Sequence, residues 1–161
     1  MTADPATLAD TAPLLEVRNL SVQFEVANGW LRTPATLHAL RDVSLALRAG
    51  ETLGVVGESG SGKSTLARAI LQLVPATRGD VLLGGRALGA LPAEELRALR
   101  AQMQIIFQDP RASLDPRMTV GDIVAEPLNV FRRGLDRAAR ERRVIEWLER
   151  VGLSGSMRNR Y

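Results

Sequence analysis

The sequence predicts an α/β fold on three observations. Apolar residues alternate at Leu15, Val17, Leu20, Val22 and Phe24 and again at Val43, Leu45 and Leu47, the period of half-buried strands. The short apolar run Thr52-Leu53-Gly54-Val55-Val56 suits a strand covered on both faces. Directly after a glycine-rich joint, Ser64 to Leu71 carries the spacing of an amphipathic helix.

Composition bounds the class of molecule. The chain has 161 residues, 45% apolar and 24% charged, which is enough for one domain, or part of one, with a real core. No apolar run approaches the length of a bilayer span, and the start Met1-Thr2-Ala3-Asp4-Pro5 lacks the basic and apolar regions of a secretory signal, so a cytosolic chain is expected. With no cysteine, disulfides and thiolate metal sites are excluded. The net charge is only +3, but arginines crowd residues 132–160. Interleaved Glu141, Glu146 and Glu149, few aromatics and an apolar stripe Ile145, Leu148, Val151 make this a solvated helix face and argue against a nucleic-acid surface.

Taken in order, residues 1–13 are rich in Ala, Thr, Asp and Pro and are expected to form a disordered leader, with the folded part spanning 14–161. The first strand covers Leu15 to Phe24 with a local irregularity, because Val17 and Leu20 are out of step with a strict period of two. A loop from Ala27 to Pro34, containing Trp30, leads to a second strand ending at Ala49-Gly50. After the amphipathic helix, Pro75 breaks the periodicity, and Gly79-Asp80-Val81-Leu82-Leu83-Gly84-Gly85 reads as a strand closed by a glycine turn. A short helix follows Pro92. Gln102-Met103-Gln104-Ile105-Ile106-Phe107 is expected to be a strand that delivers Gln108-Asp109-Pro110 into a loop. Thr119 and Asp122 form a capping box for a helix over Val120 to Glu126, and a longer helix runs from Asp136 to Val151, giving a helical part over about 111–161.

The chemistry concentrates in Gly57-Glu58-Ser59-Gly60-Ser61-Gly62-Lys63-Ser64-Thr65, which fits the phosphate-loop pattern G-x-x-x-x-G-K-[ST]. Glycines 57, 60 and 62 let the backbone turn its N–H groups inward, and the following helix start adds partial positive charge toward bound phosphates. Lys63 is the only lysine in the chain; its compact ammonium can reach the outer phosphates where a planar guanidinium fits badly. Ser64 is placed to ligate Mg²⁺ beside ATP.

Three segments together, Ala49-Gly50-Glu51, the loop itself and Ile106-Phe107-Gln108-Asp109-Pro110, resemble the nucleotide-binding domain of ABC transporters. The run from Arg111 to Val120, followed by Glu126-Pro127-Leu128, is similar to the ATPases of oligopeptide and dipeptide importers. The resemblance implies an α/β P-loop NTPase of the ABC ATPase type, incomplete, with an antiparallel β part at the N-terminus and a helical part after the Q-loop. It implies that Gln108 is the Q-loop glutamine, a catalytic and Mg²⁺-binding residue beside Lys63. It further implies a second ATPase subunit, membrane permease subunits that dock on residues 119–151, an indirectly linked substrate-binding protein, and a place on the cytoplasmic face of the membrane. The family's signature motif, the apolar strand ending in Asp-Glu and the switch histidine do not occur after Gly62, so the chain resembles a cassette cut before the signature motif and is expected to bind ATP but barely to hydrolyse it.

Asp109 is a poor substitute for the missing acid, because Gln108 separates it from the apolar run and Pro110 fixes the loop behind it. His38 precedes the second strand and is not the switch histidine; it and Trp30 are candidates for a ring near the adenine, and a strand-edge role suits each. Other readings are a non-catalytic nucleotide-binding fragment or another P-loop NTPase. Guanine-specific GTPases are disfavoured, since their Asn-Lys-x-Asp segment needs a lysine that Lys63 alone supplies. The transported solute leaves no mark on these residues.

Overall fold

The computed structural model describes residues 12–26, 35–109, 113–132 and 134–161. The expected leader, apart from its last two residues, and the loop carrying Trp30 lie outside them. The chain divides into two compact units, Met1–Met103 and Gln104–Tyr161.

The first unit is built on a four-stranded antiparallel sheet. Strand β1 (Leu15–Val26) pairs with β2 (Ala35–Leu47) on one side and with β3 (Arg78–Leu83) on the other, and β4 (Arg86–Ala87) follows β3 through the Gly84-Gly85 turn. The irregularity expected in β1 is a bulge. Asn19 takes φ +47° and the register shifts between Val17 and Leu20, which resets the parity so that Val17, Leu20 and Val22 all face the core. Side chains satisfy the amides that the bulge frees from the ladder: Asn19 N donates to Ser44 Oγ at 2.9 Å and Asp42 N to Ser21 Oγ at 3.0 Å, while Asn19 Nδ2 donates to Asp42 Oδ1 at 2.8 Å. Gly79 accommodates the bulge from β3, since a Cβ there would lie 2.3 Å from the carbonyl oxygens of both Arg18 and Asn19.

Helices α1 (Lys63–Ile70) and α2 (Ala93–Arg100) contribute Leu66, Ala69 and Leu99 to the same core as Val17, Leu20, Val22, Leu40, Val81 and Leu88. Leu20, Val22 and Leu88 are fully buried, each contributing roughly 1.5–3 kcal/mol of apolar transfer.

Two expected strands do not form. Thr52 to Val56 carries no ladder and Val56 is 93% exposed; Gln102 to Phe107 is likewise irregular, with Ile106 89% exposed. A strand is stabilised by hydrogen-bonded neighbours, and the described strands pair only with one another in the antiparallel sheet, so neither apolar run has a ladder to join it.

The second unit packs α3 (Val120–Phe131) on α4 (Arg137–Arg150) through Ala125, Leu128, Val144 and Leu148, with Trp147 half-buried beside them. Helix α3 starts at the cap read from the sequence, where Thr119 Oγ1 accepts from Asp122 N at 3.1 Å; α4 starts where expected, at Asp136, whose Oδ1 caps it by accepting from Ala139 N at 2.7 Å. Helix α3 does not stop at Glu126. It carries Pro127 internally, losing one backbone bond while burying Leu128 in the next position. Val151, expected on the apolar stripe, is the C-cap of α4 and 71% exposed; Val144 takes its place in the core. A 3₁₀ turn, Gly155–Asn159, then folds back, and Val120 N donates to Arg160 O at 2.7 Å. Gly121 permits this approach, because a Cβ there would lie 2.9 Å from Arg158 O, and Gly155 lets the turn pack on α4, where a Cβ would lie 2.9 Å from Ile145 Cγ2.

Candidate functional site

The glycine-rich loop enters α1 with Lys63 as its first helical residue and Gly62 as its N-cap. Gly62 is required there on two counts. Its φ is +94°, and a Cβ would meet Ala39 O at 2.6 Å and Leu40 Cδ2 at 3.0 Å, so the end of the loop rests directly on β2. Gly62 also has no side chain to cap the first amides of the helix, and no acidic residue lies in its first turn. Those N–H groups have no partner within the helix and therefore suit an external anion.

The Lys63 ammonium folds back over the loop. Nζ donates to Gly57 O and Glu58 O, both at 2.7 Å, with Ser61 Oγ at 3.3 Å. Ser61 N donates to Glu58 O at 3.2 Å, which tightens the turn. The loop from Gly57 to Ser61 is exposed, as is Ser64, while Gly62, Lys63 and Thr65 are half-buried. The structure thus places Gly57, Glu58, Ser59, Gly60, Ser61, Gly62, Lys63, Ser64 and Thr65 in one loop and helix start, with the Lys63 ammonium bonded back across the loop to Gly57 O and Glu58 O. The uncapped helix amides are donors of the kind that suit phosphate oxygens, and the exposed Ser64 hydroxyl is a hard oxygen of the kind that could hold a divalent cation.

Gln108 lies in the second compact unit, exposed, directly after the unpaired run 102–107. Asp109 O accepts from Ser113 Oγ at 3.4 Å. Pro110, which the sequence reading placed behind it, falls outside the described residues. Farther along, Arg117 donates to Asp115 from its backbone at 3.0 Å and from its guanidinium at 2.8 Å. The side-chain bonds, then the backbone one, hold the Asp115 carboxyl below the usual carboxylate range and fix the turn that leads to Thr119.

His38 sits opposite Gln23 on the hairpin, with Nδ1 3.2 Å from Gln23 Nε2. It is one residue from Ala39, and so close along β2 to the seat of Gly62. The neighbouring pair, Phe24 opposite Leu37, exposes an aromatic ring at the same end of the hairpin. Sequence reasoning assigned Phe24 only to the strand's apolar period. The one available signal was its place at the end of that period, where a residue leaves the core. The contact between Gly62 and Ala39 had no local signal, since it joins residues far apart in the chain.

A phosphate-loop motif opens helix α1, which packs on the antiparallel sheet of the first unit. The family model described as ABC transporter matches residues 40–161. The chain therefore belongs to the ABC transporter family. It is 50% identical over 151 residues to the oligopeptide transport ATP-binding protein OppF of Escherichia coli (strain K12), covering 92% of this chain and 45% of that protein. It is 49% identical over 151 residues to the glutathione import ATP-binding protein GsiA of the same strain, covering 91% of this chain and 24% of GsiA. Among solved structures, the dimeric post-hydrolysis state of the ATP-binding cassette MJ0796 bound to ADP and Pi superposes with a TM-score of 0.73 at 27% identity, over 91% of this chain and 60% of that one. The chain thus spans about half the length of OppF. Among the described residues no helix is long and apolar enough to cross a membrane.

Proposed function

We propose that this chain is the N-terminal, nucleotide-gripping portion of the ATP-binding subunit of an ABC importer for peptides or similar small solutes. The observation that carries the reading is the Lys63 ammonium held by Gly57 O, Glu58 O and Ser61 Oγ inside a loop whose first helical amides have no side-chain cap. Lys63 has only to swing from those carbonyls to the outer phosphates, exchanging neutral acceptors for charged ones. The amides that follow Gly62 hold phosphate oxygens, and Ser64 Oγ is assigned to the metal. Bound Mg²⁺ would neutralise charge on the outer phosphates. Similarity to OppF and GsiA supports the importer reading.

In that assembly the subunit works with a second ATP-binding subunit, with permease subunits docked on the helical part, and indirectly with a solute-binding protein, at the cytoplasmic face of the membrane. The dimeric state of MJ0796 supports pairing of two such subunits. Peptide, glutathione or another small solute fits the same reading, because the ATPase does not touch the cargo.

Metal dependence tests the site. ATP should bind the unmodified chain more tightly with Mg²⁺ than with excess EDTA, and Ser64→Ala should erase most of that difference. Equal Mg²⁺ dependence in both forms would reject the assignment of Ser64.

A further inference from the structure

The end of α1 opposite the phosphate loop is tied to α2 by a single arginine. Gln72, two residues past the helix, takes φ +56°, a left-handed conformation that side chains disfavour. In this turn Leu73 N donates to Arg68 O at 2.8 Å and Gln72 N to Ala69 O at 3.0 Å, while Gln72 Nε2 reaches back to Ala69 O at 3.1 Å. Arg100, the last residue of α2, then donates from Nη2 to Gln72 O at 2.8 Å, and its side chain is half-buried.

That bond is kept at a cost. Arg100 Nε is buried with no acceptor, and among the described residues the guanidinium makes no ion pair and no second hydrogen bond. An exposed arginine keeps all its N–H groups in water, whereas this one gives up Nε to reach one carbonyl. Its charge suits the place, because the carbonyl end of α1 is the negative pole of the peptide dipoles.

The other end of the same helix is the candidate site. Helix α1 has eight residues, about 12 Å, and over two turns it moves as one rigid piece. Gly62 seats its N-terminal end on Ala39, Leu66 and Ala69 bury its middle, and Arg100 holds the turn at its far end. We infer that Arg100 is a positioning residue: by fixing the far end of α1 it sets where the amides that follow Gly62 stand for a bound phosphate. This rests on the nucleotide reading of the loop.

The test compares three variants of the ¹⁵N-labelled full chain. Arg100→Met keeps the apolar stem and loses the donors, Arg100→Lys restores one donor toward Gln72 O, and Leu96→Ala loosens the packing of α2 on the same core while leaving that bond in place. Without nucleotide, the amide resonances of Gly62 and Lys63 should move in Arg100→Met and return toward the parent in Arg100→Lys. Mg-ATP affinity by calorimetry should follow them, falling roughly tenfold in Arg100→Met and recovering most of that loss in Arg100→Lys. Leu96→Ala should lower the melting temperature and leave both readouts unchanged. Loop amides that stay in place in Arg100→Met, or an equal loss of affinity in Leu96→Ala, would overturn the inference. A parent chain that does not bind Mg-ATP would reject the nucleotide reading instead, and the amide comparison would still decide whether Arg100 places the loop. If Arg100→Met does not fold, the Arg100 Nε–Hε resonance is followed in the unmodified chain during the Mg-ATP titration: a saturable shift with the calorimetric midpoint supports the coupling, and an unmoved resonance overturns it.

Discussion

Gly62 rests on the carbonyl oxygen of Ala39, leaving no space for a Cβ, which would approach to 2.6 Å. The seat of the phosphate loop is therefore the backbone of β2, which cannot move aside without breaking its pairing with β1. Gly62→Ala should cost about 2–4 kcal/mol by combining left-handed backbone strain with overpacking, and should abolish nucleotide binding. Gly60→Ala, with φ +82° but open space around it, should cost only the backbone share. Urea melts of the two variants check this, and equal losses would show that the contact with Ala39 is not limiting.

Gly79 makes the corresponding contact at the β1 bulge, with two carbonyl oxygens at 2.3 Å from the missing Cβ. Gly79→Ala should lower the melting temperature more than Asn19→Ala, which removes the side-chain bond to Asp42 but leaves the backbone path open. The reverse order would mean that the bulge is held by its side chains.

Thr119 caps α3 and should contribute about 1 kcal/mol to the second unit. With Trp30 replaced by Phe, Trp147 alone reports on that unit, and Thr119→Ala should shift its fluorescence transition to lower urea. An unchanged midpoint would count against the cap.

Much of the first unit was legible because its signals are local. The broken parity between Val17 and Leu20 announced the bulge, and the Gly84-Gly85 turn and the strand before it lie where composition placed them. The capping box at Thr119 set one helix start, because capping chemistry sits within three residues of its target, and the second start fell at Asp136 as expected. Pairing is not local. Thr52 to Val56 and Gln102 to Phe107 have the apolar character of covered strands, but a run of side chains specifies that it should be covered and not by what, and neither run pairs with a described strand. Pro127 misled for a related reason: the propensity to stop was local, and the burial of Leu128 that carries the helix onward was not. In the candidate site, the loop motif is a local pattern along the chain, whereas the fold-back of Lys63 onto Gly57 and Glu58 depends on a three-dimensional turn.

Exposure of those two runs has a measurable consequence. Val56→Ser and Ile106→Ser should each change stability by no more than about 0.5 kcal/mol and reduce binding of an apolar dye, whereas Leu20→Ala in the closed core should cost about 2–5 kcal/mol. A loss above about 2 kcal/mol for either serine variant would show that the side chain is covered in solution.

Turnover separates gripping from hydrolysis. The sequence has no apolar run ending in Asp-Glu after the loop, so the 161-residue chain should release phosphate from ATP no faster than its Lys63→Ala variant. A clear Lys63-dependent rate would direct attention to Asp109.

The central claim is that the loop grips Mg-ATP through Lys63, and calorimetric titration of the unmodified chain against Lys63→Ala tests it most directly. Removing the ammonium should weaken binding by about 1.5–3 kcal/mol, the scale of a hydrogen bond to a charged group. Equal affinity of the two forms would contradict the account.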